Sequence, residues 1–371
     1  MITIRIISLF NACALCFSPI HSLSVLKAES TEIKYEYGVF LGADPDDIPE
    51  MESYKKVVID AQAFTDSEIK GLKDNGHIVY SYINIGSVEE YRDYFDTYKK
   101  YSLGIYTNWE DERWIDVSQE EWQNFVVNTL ANDILAKGID GLFVDNCDVY
   151  YNYNEEKIFN GITEILKGFK KYGTYVIING GDAYIKEYVQ RNSDLSPIMD
   201  AVNQESVFSA IEWDKEKNFI ENSPDEREYF QEYCKLVSDN NKDVYLLEYT
   251  KNSKIIESIK TYCSVNGYTY YASDSLDLVT PGHEAGSQLL IKKHSLPGDA
   301  NLDENVDMSD AVLIMQALAN PNKYGTNGTY SAHITKEGIE NADVEGNNGL
   351  TTIDALTIQK YLLKLIKELP I

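Results

Sequence analysis

The chain has 371 residues, a formal net charge of −27, 28 tyrosines and five cysteines. Such an acid excess excludes nucleic acid as a natural partner, because binding phosphates calls for basic patches, and it leaves room for a cationic ligand. The length suits two domains, one of them large.

Taken in chain order, Met1-Ile-Thr-Ile-Arg-Ile-Ile-Ser-Leu-Phe-Asn-Ala-Cys-Ala-Leu-Cys-Phe17 joins a short basic start to an apolar run too brief to span a bilayer. Residues 1–28 therefore read as a secretory signal, cut between Ser22 and Ala28, and predict a secreted, extracellular chain with no membrane insertion. Phe10-Asn11-Ala12 is no lipobox for Cys13, so no lipid anchor is expected. Loss of this leader leaves Cys147, Cys234 and Cys263, an odd number without metal-ligand spacing. These read as free packing thiols.

Residues 32–285 have the size of a (β/α)8 barrel. Short apolar runs alternate with amphipathic stretches, the pattern of βα units around a parallel sheet. The predicted strands are Val57–Asp60, Ile78–Asn84, Ser102–Ile105, Gly141–Asp145, Tyr175–Asn179, Ala201–Asn203, Val244–Glu248 and Tyr268–Ala272. Helices are predicted over Gln119–Leu130 and Glu155–Leu166, where apolar residues recur at three- and four-residue spacing. A barrel gathers the C-terminal ends of its strands on one face, which carries the active site. Asp60, Asn84, Asp145, Asn179, Glu205, Glu248 and Asp274 stand at or just past those ends. With Tyr82, Trp109, Asp148, Tyr150 and Tyr249 they make a polar ring flanked by aromatics, which suits a sugar.

The segments Tyr80-Ser-Tyr-Ile-Asn-Ile-Gly-Ser-Val-Glu-Glu-Tyr-Arg-Asp93, Trp114-Ile-Asp-Val117, Lys137-Gly-Ile-Asp-Gly-Leu-Phe-Val-Asp-Asn-Cys-Asp-Val-Tyr150 and Val202-Asn-Gln-Glu205 resemble glycoside hydrolase family 114. That resemblance implies an endo-α-1,4-polygalactosaminidase-like TIM barrel. Its catalytic pair maps onto Asp145, ending the fourth strand, and Glu205, following the sixth. Glu248-Tyr249 departs from the Asp-Tyr often found after the seventh strand. Two carboxyls suffice for glycoside hydrolysis, and their separation decides the stereochemical outcome. Retention is expected here, with Asp145 as nucleophile and Glu205 as acid/base. No cofactor is expected for the chemistry. The rival readings are a catalytically silent carbohydrate-binding barrel and a glycosidase for a different polysaccharide.

After a short linker, 286–296, residues 297–371 carry an internal duplication. Asp299, Asn301, Asp303, the Asn305 carbonyl, Asp307 and Asp310 occupy positions one, three, five, seven, nine and twelve of a calcium loop. Asp343, Glu345, Asn347, Gly349, Thr351 and Asp354 repeat those offsets, and each loop leads into an apolar helix. Two such repeats with Asp at the twelfth position resemble a type I dockerin. This implies two structural Ca²⁺ ions and a cohesin partner on a cellulosome-type scaffold. Glu304 and Asn348 stand where Gly is favoured in such loops, and the pairs Met308-Ser309 and Thr352-Ile353 differ between the repeats.

Overall fold

The computed structural model describes residues 33–213, 218–280, 286–287, 296–303, 305–326, 328–330, 332–345 and 349–369. The expected signal (1–28), most of the expected linker, and Glu304, Asn347 and Asn348 lie outside the described residues.

Strands β1 (Tyr35–Phe40), β2 (Tyr54–Ile59) and β3 (Ile78–Asn84) begin the barrel. β4 (Ser87–Glu89), β5 (Ser102–Tyr106) and β6 (Trp109–Ile115) then form a separate antiparallel sheet. The barrel resumes with β7 (Gly141–Asp145), β8 (Tyr175–Asn179) and β9 (Ala201–Glu205), and a hairpin of β10 (Ser209–Glu212) and β11 (Asn218–Glu221) follows. β12 (Asp243–Tyr249) and β13 (Thr269–Ser273) complete the ring, with β14 (Gly286–Ser287) antiparallel to β13. Eight strands, β1-β2-β3-β7-β8-β9-β12-β13, pair in parallel in that order. β13 also lies beside β1, which nearly closes the barrel.

Two expectations need correction. Ser102–Ile105 is not a barrel strand but the first arm of the β5–β6 hairpin, and the barrel begins one strand earlier, at Tyr35. Barrel strands are covered on both faces, so Val57, Val58 and Ile59, or Leu142, Phe143 and Val144, have no solvent exposure at all. β5 by contrast leaves Ile105 61% exposed. Gly286–Ser287, assigned to the linker, pairs with β13.

Tyrosines fill much of the barrel interior. Tyr37 lies 4.6 Å from Tyr245, Tyr80 stacks on Tyr175 at 5.5 Å, and the Tyr37 hydroxyl donates to Asn203 at 3.1 Å. These rings supply apolar area while their hydroxyls find partners, the usual condition for burying tyrosine. Cys147, Cys234 and Cys263 are buried and unpaired. No helix of the described residues is long and apolar enough to cross a membrane.

In the C-terminal unit, helices Met308–Ala319 and Thr352–Leu362 pack around Ala311, Ile314, Ile334, Val344, Ala355 and Ile358. Each helix opens with a capping box, Asp307 with Asp310 and Thr351 with Asp354, so loop positions nine and twelve also start the helix. Asp310 additionally accepts the Ala300 and Asn301 amides, and Asp354 those of Val344 and Glu345.

Candidate active site

At the C-terminal end of the barrel, a cavity of about 550 Å³ is walled by Asp145, Glu205, Asn179, Tyr82, Tyr249 and the tryptophans Trp109 and Trp213. Asp145 ends β7 and Glu205 ends β9, with β8 between them. The intervening strand supplies Asn179, whose Nδ2 donates to Asp145 Oδ1 at 3.0 Å and to Glu205 Oε1 at 2.8 Å. One amide nitrogen thus spans the two carboxylates. Its orientation is fixed from below, because Asn203 Nδ2 donates to Asn179 Oδ1 at 2.7 Å. Tyr249 completes the set, donating to Glu205 Oε2 at 3.0 Å.

Two bonds from one nitrogen limit how far apart the acceptor oxygens can lie. With the roughly 120° spread of an amide's N–H bonds, they sit about 5 Å apart, the spacing of retaining rather than inverting pairs.

Burial raises the pKa of Asp145, opposed by bonds from Asn179, the Asn146 amide and Tyr82. Burial also raises Glu205, where the Asp145 charge adds to the rise and Asn179 and Tyr249 oppose it. Burial thus pushes both carboxyls toward the protonated form, and an ionised Asp145 would further favour a proton on Glu205.

Other acids share the wall. Asp148 accepts the Gly181 amide at 3.3 Å, and burial, with Asp182 and Asp145 nearby, lifts its pKa to about 7. Burial lifts Glu112 to about 8 although the Ser87 hydroxyl donates to it at 2.6 Å. Asp60 caps Gln62 and pairs with Arg92 at 2.8 Å. Arg92 also reaches Glu89 at 3.2 Å. Arg92 is the one basic side chain among the lining residues described, facing the acids Asp60, Glu112, Asp145, Asp148, Asp182, Glu205 and Asp277.

Four residues expected at the substrate lie elsewhere. Asn84 is turned into its own strand exit, exchanging hydrogen bonds with Ser87. Tyr150 packs edge-to-face on Phe159 at 5.7 Å and on Tyr184 at 6.3 Å. It follows Asp148 by two residues on a helical turn, a rotation of about 200°, so a cavity-facing Asp148 sends Tyr150 to the helix layer. Glu248 alternates with cavity-facing Tyr249 and points away, where its carboxylate accepts the Val207, Phe208 and Ser209 amides and the Ser209 hydroxyl. Asp274 is ion-paired with Lys251 at 3.4 Å, outside the cavity wall.

Sequence reasoning missed Arg92, Tyr106, Glu112, Asn146, Gln204, Asp182 and Trp213. Arg92, Asn146 and Gln204 stand inside the very segments that carry the family resemblance. Glu112 and Trp213 sit on hairpins, and Tyr106-Thr-Asn-Trp109 reads in retrospect as a tight turn between two strands.

The sequence model of Glycoside-hydrolase family GH114 matches residues 24–304. The chain belongs to glycoside hydrolase family 114. A second model, Dockerin type I domain, matches residues 297–363 of this family 114 protein. Among solved structures it resembles the glycoside hydrolase domain of PelA from Pseudomonas aeruginosa, with TM-score 0.55 and 14% identity over 68% of this chain and 98% of that one. It also resembles Ega3 of Aspergillus fumigatus, solved in complex with galactosamine, with TM-score 0.52 and 16% identity over 70% and 96%. These likenesses are of fold. Over 74 residues the chain is 60% identical to a xylanase/beta-glucanase of Ruminococcus flavefaciens, covering 20% of this chain and 9% of that enzyme.

Among the described residues no three His, Cys, Asp or Glu side chains gather as a metal set. In the dockerin loops the carboxylates are instead turned onto backbone amides, as Asp299 is to Asp303 and Asp307 to Ser309. The donor set still suits calcium: Asp343 keeps Oδ1 buried without a hydrogen-bond partner, at the first position of the second loop. A hard cation there would satisfy it.

Proposed function

We propose that this family 114 enzyme is a secreted, endo-acting hydrolase of α-linked, galactosamine-containing polysaccharide that works with retention of configuration. The observation that carries the reading is the single Asn179 nitrogen bridging Asp145 and Glu205. In the first step an Asp145 oxygen attacks the anomeric carbon while Glu205 gives its proton to the departing glycosidic oxygen. In the second, Glu205 takes a proton from water, which displaces the Asp145 ester and restores both groups. Glu205 suits the proton-carrying role because burial and the neighbouring Asp145 charge both hold its proton.

An amino sugar carries positive charge, and the wall offers it Asp145, Asp182 and Asp277, while the one arginine among the lining residues described is already engaged by Asp60 and Glu89. Trp109 and Trp213, each partly open to solvent, add ring faces for sugar stacking. The galactosamine bound in the Ega3 structure supports the same substrate class. Residues 1–28 supply the export signal in this reading. The dockerin attaches the enzyme to a cohesin-bearing scaffold, with two structural calcium ions held by Asp299, Asn301, Asp303, Asn305, Asp307 and Asp310, and by Asp343, Glu345, Asn347, Gly349, Thr351 and Asp354.

The test is reducing-end release from polygalactosamine beside neutral and N-acetylated polysaccharides, with the product anomer followed by proton NMR. The expected result is preference for the cationic polymer, retained configuration, and loss of about three orders of magnitude or more in Asp145→Asn and Glu205→Gln. Near-wild-type hydrolysis by either variant, or an inverted first product, overturns it. Binding without cleavage favours the silent carbohydrate-binding barrel.

A further inference from the structure

Two excursions from the barrel meet at the cavity. Trp109 heads β6 in the excursion that follows barrel strand β3, and Trp213 follows β10 in the hairpin after barrel strand β9. Their rings meet edge-to-face, 5.9 Å apart and inclined at 76°, and both line the same cavity as Asp145 and Glu205. Each ring is partly open to solvent, Trp109 at 37% and Trp213 at 42%.

β3 and β9 are the third and sixth of eight strands, so this contact crosses the barrel mouth rather than running along its rim. On one side of the crossing stand β7 and β8, with Asp148, Gly180 and Asp182 at their ends; on the other stand Leu41, Asp60, Leu276 and Leu278. The two carboxylates lie in the same cavity, at the ends of β7 and β9. A linear polymer laid across the carboxylates from the β7–β8 side to the side of Asp60 and Leu276 would pass the two rings.

Both piers are tied down. Tyr106 stacks on Trp114 at 4.2 Å within the β5–β6 hairpin. The start of the β10–β11 hairpin is held by Glu248, which accepts three successive amides and the Ser209 hydroxyl.

We propose that the Trp109–Trp213 contact roofs the cleft into a passage through which one polysaccharide chain is threaded, so that the enzyme cuts that chain several times before releasing it. After the first cleavage one fragment still lies under the rings. It leaves only by sliding lengthwise or by the parting of the tryptophans, and sliding by one repeat brings a fresh bond to the carboxylates. The proposal rests on the cavity hydrolysing a polysaccharide.

Full-length enzyme, Trp109→Ala and Trp213→Ala are given an insoluble form of the polysaccharide, and soluble and chain-bound reducing ends are counted at equal total cuts. Threading predicts a several-fold fall in the soluble-to-bound ratio in both variants, because each encounter then makes fewer cuts. An unchanged ratio overturns the proposal. Far-ultraviolet circular dichroism reads the bridge independently of substrate: the wild type should show a tryptophan exciton couplet that either substitution abolishes. Absence of the couplet overturns the proposal too. A failure to cut any polysaccharide refutes the glycosidase reading instead, and the couplet still reports on the bridge.

Discussion

Asn179→Ala removes the amide that bridges the two carboxyls proposed to carry the reaction, Asp145 and Glu205. Its two bonds, 3.0 Å to Asp145 and 2.8 Å to Glu205, both run to carboxylates, a class worth about 1.5–3 kcal/mol each. Were both carboxyls ionised about 5 Å apart, they would repel by roughly 3 kcal/mol at an effective dielectric near 20, so the pair holds a proton while Asn179 keeps its geometry. Only the share specific to the transition state reaches kcat, and loss of one preorganised donor of this kind costs about 10²–10³-fold. The pH profile separates this role from a merely structural one. Asn179 lowers the pKa of both carboxyls, so removing it raises both. The acidic limb, which requires an ionised Asp145, moves to higher pH, and so does the alkaline limb, which requires a proton on Glu205. Initial rates of reducing-end release across the pH range measure both limbs. A kcat within a few-fold of wild type, or limbs that stay put while kcat falls, would refute the argument.

Three buried acids make stability fall as pH rises. Burial raises Glu112 from 4.5 to about 8, Glu248 from 4.5 to about 7 and Asp148 from 3.8 to about 7. Each keeps its proton in the fold while the unfolded chain ionises, so its contribution is fully present below the ordinary value and is lost as pH climbs through the raised one. Thermal melts should show Tm dropping from mildly acidic to mildly alkaline pH, with the last part of the drop flattened in Glu112→Gln; identical slopes would count against it. Gly86→Ala places a methyl 1.8 Å from the Asn146 carbonyl, and a shift of the turn below Asp145 should cost about 1–3 kcal/mol, read from urea midpoints. Chelation, or Asp343→Ala, should weaken amide-exchange protection in Thr352–Leu362 while the barrel strands keep theirs. Swapping Met308-Ser309 with Thr352-Ile353 should change cohesin retention in a pull-down if one repeat dominates the contact, and equal retention would point to two equivalent binding orientations.

Strand ends were legible because position along a strand is written in the sequence, whereas the direction a side chain takes there is not. Val57–Ile59 and Leu142–Val144 announce themselves as continuous apolar runs, since both faces of a parallel strand are covered. Ser102-Leu-Gly-Ile has a local composition similar to that of a barrel strand, whereas the polar start of Tyr35-Glu-Tyr-Gly-Val-Phe hides a buried second half. Strand position set Asp145 and Glu205 among seven polar residues at the barrel mouth, and only the resemblance to family 114 implied them as the pair. Glu248 could not be told from its neighbour Tyr249 without knowing which face of β12 meets the cavity. Glu112 was out of reach for a different reason. It becomes part of the wall through the β4–β6 pairing, which sets it opposite Glu89 and beside Ser87.

The hairpins that carry the two tryptophans also govern the carboxylates beneath them. The strands that end in these two carboxylates are each left through a residue in the left-handed region, Asn146 at φ 64° after Asp145 and Ser206 at φ 57° after Glu205. Such a conformation costs a non-glycine residue about 1 kcal/mol or more, so it persists where surrounding bonds demand it. Asn146 is held by its amide on the Ser87 hydroxyl, 2.9 Å away at the start of β4, the strand paired with β6. Ser206 is held by its amide on the Leu247 carbonyl at 2.9 Å, and its own carbonyl accepts Asn222 Nδ2 at 2.9 Å, just past the end of β11. Asn146 thus answers to the sheet that bears Trp109, and Ser206 to the hairpin that bears Trp213. Loosening either hairpin at its base, through Ser87 or Asn222, should therefore disturb the carboxylate below as well as the bridge above, whereas truncating only the tryptophan rings should leave both turns in place.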